Sequence, residues 1–86
     1  MDLKPMRLDK YLKVSQIIKR RTVAKTAAIK ERVEINGKLA KPSTTVKVND
    51  IITLSLGTKI TEVKVTQLTP VRDGLMYELI REEKRP

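Results

Sequence analysis

The stretch MRLDKYLKVSQIIKRRTVAK, residues 6–25, carries seven Lys/Arg side chains against one acid, Asp9. From about Arg7 the residues Leu8, Tyr11, Leu12 and Ser15 follow the i, i+3, i+4, i+7 spacing of one helical face. On that wheel Arg7, Lys10 and Val14 lie beside the apolar face, and Lys13 points further round. Asp9 falls in the first turn, where a carboxylate complements the positive end of the helix. The apolar pair Ile17-Ile18 is followed by Lys19, Arg20 and Arg21. Thr22 is the expected N-cap of a second helix running from Val23 to about Lys30, with Val23, Ala24, Ala27 and Ala28 as its buried side. Three residues after Thr22 stands Lys25, where a capping box would place Glu or Gln. A helix N-terminus already carries partial positive charge and free N–H groups, so this crowd of cations calls for a bound anion. Phosphate is the anion such an end is suited to hold.

Working outward, Val33-Glu34-Ile35 alternates apolar and polar, Asn36-Gly37 supplies the residues of a two-residue type I′ turn, and Lys38-Leu39-Ala40 returns as the second strand. Lys38 and Lys41 fall near that turn, within reach of the same polyanion. Pro42 and Ser43-Thr44-Thr45 read as a loop, and Asn49-Asp50 as a turn into a strand over Ile51 to Leu56, broken by Gly57. A further strand is expected over Ile60 to Leu68, a connection at Pro70 and Asp73-Gly74, and a last strand over Leu75 to Ile80. Met1 to Pro5 reads as a flexible lead and Arg81 to Pro86 as a charged tail with no need of order. The expected fold class is α+β, one domain over residues 6–80. Its two N-terminal helices are expected to pack on a short antiparallel sheet with extra C-terminal strands.

At 86 residues the chain makes a single small core, and with two Tyr and no Phe or Trp that core is aliphatic. The same scarcity removes the aromatic platform on which unpaired bases usually stack. Cys and His are both absent, which excludes disulfides, zinc fingers and imidazole bases. No cofactor, no metal and no enzymatic activity are expected. Residues 1–41 hold 12 Lys/Arg and 4 Asp/Glu, whereas residues 42–86 hold 7 and 6, so nearly all the net charge of +9 sits in the first half. Such asymmetry is the electrostatic footprint of a polyanion binder. With no apolar run long enough for a membrane span and no signal-like N-terminus, a cytoplasmic protein is expected; it is separately expected to be a monomer.

The order of motifs then becomes recognisable. Arg7 to Leu12 (RLDKYL), the KRRT run into helix 2, Val33 to Gly37 (VEING) and Val46 to Asp50 (VKVND) resemble the RNA-binding domain named for ribosomal small-subunit protein four, over about residues 6–54. The stretches MRLDKYLKVS and IKRRTVAK and the ending MYELIREEK, Met76 to Lys84, are further similar to the family of ribosome-associated quality-control P-site proteins (RqcP). That resemblance implies binding to stalled large ribosomal subunits through large-subunit rRNA and P-site tRNA, in cooperation with RqcH, in support of alanine tailing. Carried over to this chain, it implies RNA-phosphate contacts by Arg7 and Arg21 first, then Lys10, Lys19, Arg20, Thr22 and Lys25; Lys13, Lys38 and Lys41 are candidates by their positions alone. The alternative within the RNA class is a factor similar to heat-shock protein fifteen, which recycles blocked large subunits. A helix-turn-helix DNA binder is disfavoured by the long, charged stretch Ser15 to Arg21 between the helices. Two departures from the domain pattern stand out: Glu31-Arg32 where a Gly is common, and Asn49 where Gly often precedes Asp50.

Overall fold

In the computed structural model, which describes residues 6–69 and 75–84, a two-residue strand immediately precedes the first helix. In order, the elements are β1 (Met6–Arg7), α1 (Leu8–Val14), α2 (Arg21–Ile29), β2 (Val33–Ile35), β3 (Lys38–Leu39), β4 (Thr45–Val46), β5 (Ile51–Leu56), β6 (Lys59–Val65) and β7 (Tyr77–Lys84). The fold class is α+β, and the described residues form two helices and two antiparallel sheets, β1-β4 and β3-β2-β5-β6-β7.

Arg7 belongs to β1 and caps α1 in extended conformation, rather than lying on the helical wheel. Its strand pairs Met6 with Val46 and Arg7 with Thr45, so Thr45 is strand rather than loop. Two-residue strands carry no periodicity, and only the pairing of distant segments defines them. The same neighbourhood satisfies the start of α1. The amides of Leu8 and Asp9 donate to the carbonyls of Thr44 (2.8 Å) and Pro42 (3.2 Å).

Helix α2 starts earlier than its composition suggests. The extended N-cap is Arg20 (φ −122°, ψ 131°), which puts Thr22 inside the first turn, with no side-chain cap. The Thr22 carbonyl instead accepts from Thr26 Oγ1 at 2.9 Å. Ala24, Ala27 and Ala28 are buried as expected, but Val23 is 48% exposed, one step round the helix from that stripe. At the other end the amide of Arg32 reaches the Ala27 carbonyl (3.0 Å) and that of Glu31 the Ala28 carbonyl (3.1 Å), the two bonds of a Schellman motif. Its left-handed position, ordinarily glycine, is held by Glu31 at φ 59°.

The hairpin forms as the residues dictate: Asn36 and Gly37 take φ of 52° and 82°, as a type I′ turn requires. Asn36 also accepts the Ile51 amide at 2.9 Å, and Asp50 accepts the Lys47 amide at 2.9 Å, which fixes the turn entering β5. Strand β6 ends at Val65, short of Leu68, whereas β7 runs on to Lys84 past a register shift beside Glu62 and Val63. Arg81 to Lys84 are therefore strand rather than tail, tied across by Arg81 to Glu62 (3.2 Å) and Lys59 to Glu82 (3.1 Å). The expected lead Met1 to Pro5 and the connection at Pro70 and Asp73-Gly74 lie outside the described residues.

Leu8, Tyr11 and Leu12 of α1, the alanines of α2, and Val33, Ile52, Leu54, Val63 and Val65 of the larger sheet share one buried cluster. Tyr11, fully buried, donates to the Met76 carbonyl at 2.8 Å, and burial pushes its phenol well above the ordinary range. That carbonyl also accepts from the amides of Thr66 and Gln67. Removing the hydroxyl therefore strands no acceptor, and Tyr11→Phe should cost only about 1 kcal/mol in urea unfolding. Leu12→Ala, which empties core volume, should cost about 2–5 kcal/mol. Glu31→Gly should stabilise by about 1 kcal/mol, because glycine adopts φ > 0 without a Cβ penalty.

Candidate nucleic-acid interface

Asp9 is 2% exposed, yet it sits among charges. Arg7 donates through Nε to Oδ1 and through Nη2 to Oδ2, both at 3.2 Å, and the Lys10 amide donates to Oδ1 at 2.8 Å. Arg21 Nε lies 3.5 Å from Oδ2. Burial by itself raises the Asp9 pKa, but the Lys10 amide, Arg7 and Arg21 together outweigh it and hold the carboxyl below its ordinary value. The ionised Asp9 thus pins a guanidinium from β1 and another from the first turn of α2 to one point. Both arginine side chains stay about half exposed, at 52% and 50%. Each guanidinium carries five N–H donors, more than Asp9 consumes, so both keep donors for an outside acceptor.

The two helix starts differ. Those of α1 are occupied by Thr44, Pro42 and Asp9, whereas α2 has no side-chain cap and no acid in its first turn. Lys19 and Arg20 are exposed beside that end, and Thr22 is its second residue.

A cleft of about 490 Å³ opens between α2 and the segment Leu39 to Ser43. It joins Arg7, Lys25 and Lys41, which lie far apart in sequence. All ten basic or hydroxyl candidates are exposed: Arg7, Lys10, Lys13, Lys19, Arg20, Arg21, Thr22, Lys25, Lys38 and Lys41. Among the described residues only Arg7 and Arg21 of this set are ion-paired, both to Asp9. Lys10 and Lys13 sit on α1 and Lys38 on β3, and none of the three lines the cleft. Sequence reasoning placed Asp9 correctly in a first turn but missed its bridging of two arginines, because nothing local pairs residue 9 with residue 21. It also missed the exposed apolar members of the cleft, Ile29 (61%) and Leu39 (59%).

Residues 6–52 match the S4 domain family model. The chain is 54% identical over 83 residues to the RQC P-site tRNA stabilizing factor of Streptococcus pneumoniae, covering 92% of this chain and 94% of that one. The chain belongs to the S4-domain family of RQC P-site tRNA stabilizing factors. The factor of the same name from Bacillus subtilis is 46% identical, with 92% and 96% of the two chains covered. A solved structure of the trimeric heat shock protein 15 of Vibrio cholerae superposes with a TM-score of 0.77 at 28% identity, covering 88% of this chain and 82% of that one. In this S4 domain the pinned Arg7–Asp9–Arg21 group and the cleft both lie within the matched residues.

Because the Asp9 pKa is depressed from its ordinary 3.8, its contribution to stability is complete above that value and is lost as pH falls through the lowered one. Urea midpoints measured from about pH 5 down to about pH 2 should fall more steeply for the unmodified protein than for Asp9→Asn.

Proposed function

We propose that this chain is a non-catalytic RNA-binding factor of bacterial ribosome-associated quality control. In this proposal the helix pair, seated on the sheet, presents cations to large-subunit rRNA and P-site tRNA of a stalled large subunit. The bound factor then supports alanine tailing of the nascent chain together with RqcH, as a cytoplasmic monomer. The observation that carries the reading is the 54% identity, over nearly the full length of both chains, to a factor named for stabilising P-site tRNA. The pinned arginines Arg7 and Arg21 are the first phosphate ligands. Lys10, Lys19, Arg20, Thr22 and Lys25 come next around the uncapped start of α2, and Lys13, Lys38 and Lys41 form the margin. A guanidinium held by a buried carboxylate meets phosphate with little ordering left to do, which favours affinity.

The likeness to heat shock protein 15 favours a second reading, a factor that recycles blocked large subunits. Deletion in a host that tails stalled chains separates the two: loss of alanine tails supports the first reading, and intact tails with accumulated blocked subunits support the second.

Tagged protein should travel with free large subunits carrying peptidyl-tRNA in sucrose gradients; absence from all ribosomal fractions would overturn the proposal. If about five phosphates are gripped, the log–log salt slope of binding to those subunits should be about −4 to −5. Arg21→Ala should weaken binding and flatten that slope by about one.

A further inference from the structure

We infer that the cleft between α2 and the segment Leu39 to Ser43 receives one unstacked nucleotide of the bound RNA and prefers guanine. The inference rests on the RNA-binding reading and adds a base-reading subsite to it. Three observations meet in this cleft. Its volume, about 490 Å³, falls within the roughly 300–1,000 Å³ range of small-ligand sites. Arg7, Lys25 and Lys41 line it and supply charge for a phosphate, and neither lysine is ion-paired among the described residues. Ile29 and Leu39, both more than half exposed, line it as well and give a flat base an aliphatic surface in a chain without Phe or Trp.

A further lining residue, Glu31, decides the base. A carboxylate in a groove of phosphate ligands opposes backbone binding, and at φ 59° this one also occupies a backbone position that costs a non-glycine residue energy. It makes no ion pair among the described residues, so no direct contact with Lys25 or Lys41 occupies it. What a carboxylate accepts well is a pair of adjacent donors. Guanine alone among the RNA bases offers two on its Watson–Crick edge, N1–H and N2–H. Cytosine and adenine set one amino group beside a ring acceptor that a carboxylate repels, and uracil flanks its one N–H with carbonyls.

The test is titration of the isotopically labelled full chain with 5′-GMP, 5′-AMP, 5′-CMP, 5′-UMP and inorganic phosphate, followed by amide chemical shifts. GMP should move the amides of Ile29, Glu31, Leu39 and Lys41 and bind at least about fivefold tighter than AMP, the lower bound for one good bidentate base contact. Glu31→Gln and Glu31→Gly, which relieves the backbone cost, should both bring GMP within about twofold of AMP while the fold is retained. Leu39→Ser should weaken all four nucleotides and leave inorganic phosphate unchanged. Equal binding of the four nucleotides, or identical shifts from inorganic phosphate, would overturn the guanine subsite. So would a preference for GMP that survives in both Glu31 variants. Co-sedimentation with large subunits reports separately on RNA binding. Its retention alongside equal nucleotide binding would sink the subsite alone, whereas its loss would sink the reading beneath it.

Discussion

A carboxylate taken out of water among donors from three residues organises the N-terminal half of this S4 domain. Asp9 would be costly to bury ionised if it were alone, and the Lys10 amide, Arg7 and Arg21 each supply part of the compensation. Their positions are fixed by different elements. Arg7 is held by the pairing of β1 with β4, Lys10 by the first turn of α1, and Arg21 by the start of α2. The buried charge therefore demands that all three elements be in place at once. Its satisfaction leaves two guanidiniums at one carboxylate with donors to spare, so the same contact that registers the helices also builds the pair proposed to bind phosphate.

The core carries this arrangement with little material. Leu8, Tyr11 and Leu12 bury one face of α1, and Ala24, Ala27 and Ala28 let α2 come close to it. Larger side chains on that stripe would push Arg21 away from Asp9. The larger sheet contributes Val33, Ile52, Leu54, Val63 and Val65 to the same cluster, and Tyr11 ties α1 to Met76 beside β7. The charge asymmetry of the sequence has a structural counterpart. Among the described residues the unpaired candidate lysines lie on the helices, between them, on β3 and just beyond it, while of the four cations of β6 and β7 Lys59 and Arg81 are spent on Glu82, Glu62 and Glu83, and Lys64 and Lys84 make no ion pair.

Glu31 shows why a departure from a family pattern repays physical attention. At the end of α2 the hydrogen bonds of a glycine-type cap form completely around a glutamate, so the backbone requirement persists and the side chain is superimposed on it. Asn49, the other departure, takes φ 78°, and asparagine tolerates the left-handed region better than most residues do. The first departure places a charge in a cleft, and the second puts asparagine at a left-handed turn position.

Local chemistry makes much of the chain legible from the sequence alone. The Asn36-Gly37 turn, the buried face of α1, the alanine stripe of α2, the strand from Ile51 to Leu56 and the concentration of cations before α2 all depend on residues within a few positions of one another. The sequence alone also determined membership of an RNA-binding family, since the motifs from Arg7 to Asp50 lie inside the matched domain. Tertiary structure decided the rest. It turned Arg7 from a helical residue into a strand residue, moved the cap of α2 from Thr22 to Arg20 and exposed Val23. It carried β7 through Arg81 to Lys84, joined Asp9 to Arg21, and gathered Arg7, Lys25, Glu31 and Lys41 around one cleft. Most of these outcomes rest on contacts between segments distant along the chain, which periodicity and propensity do not encode. The shifted helix start rests on the backbone angles at a single residue, Arg20, which the cap preference of Thr22 could not foretell.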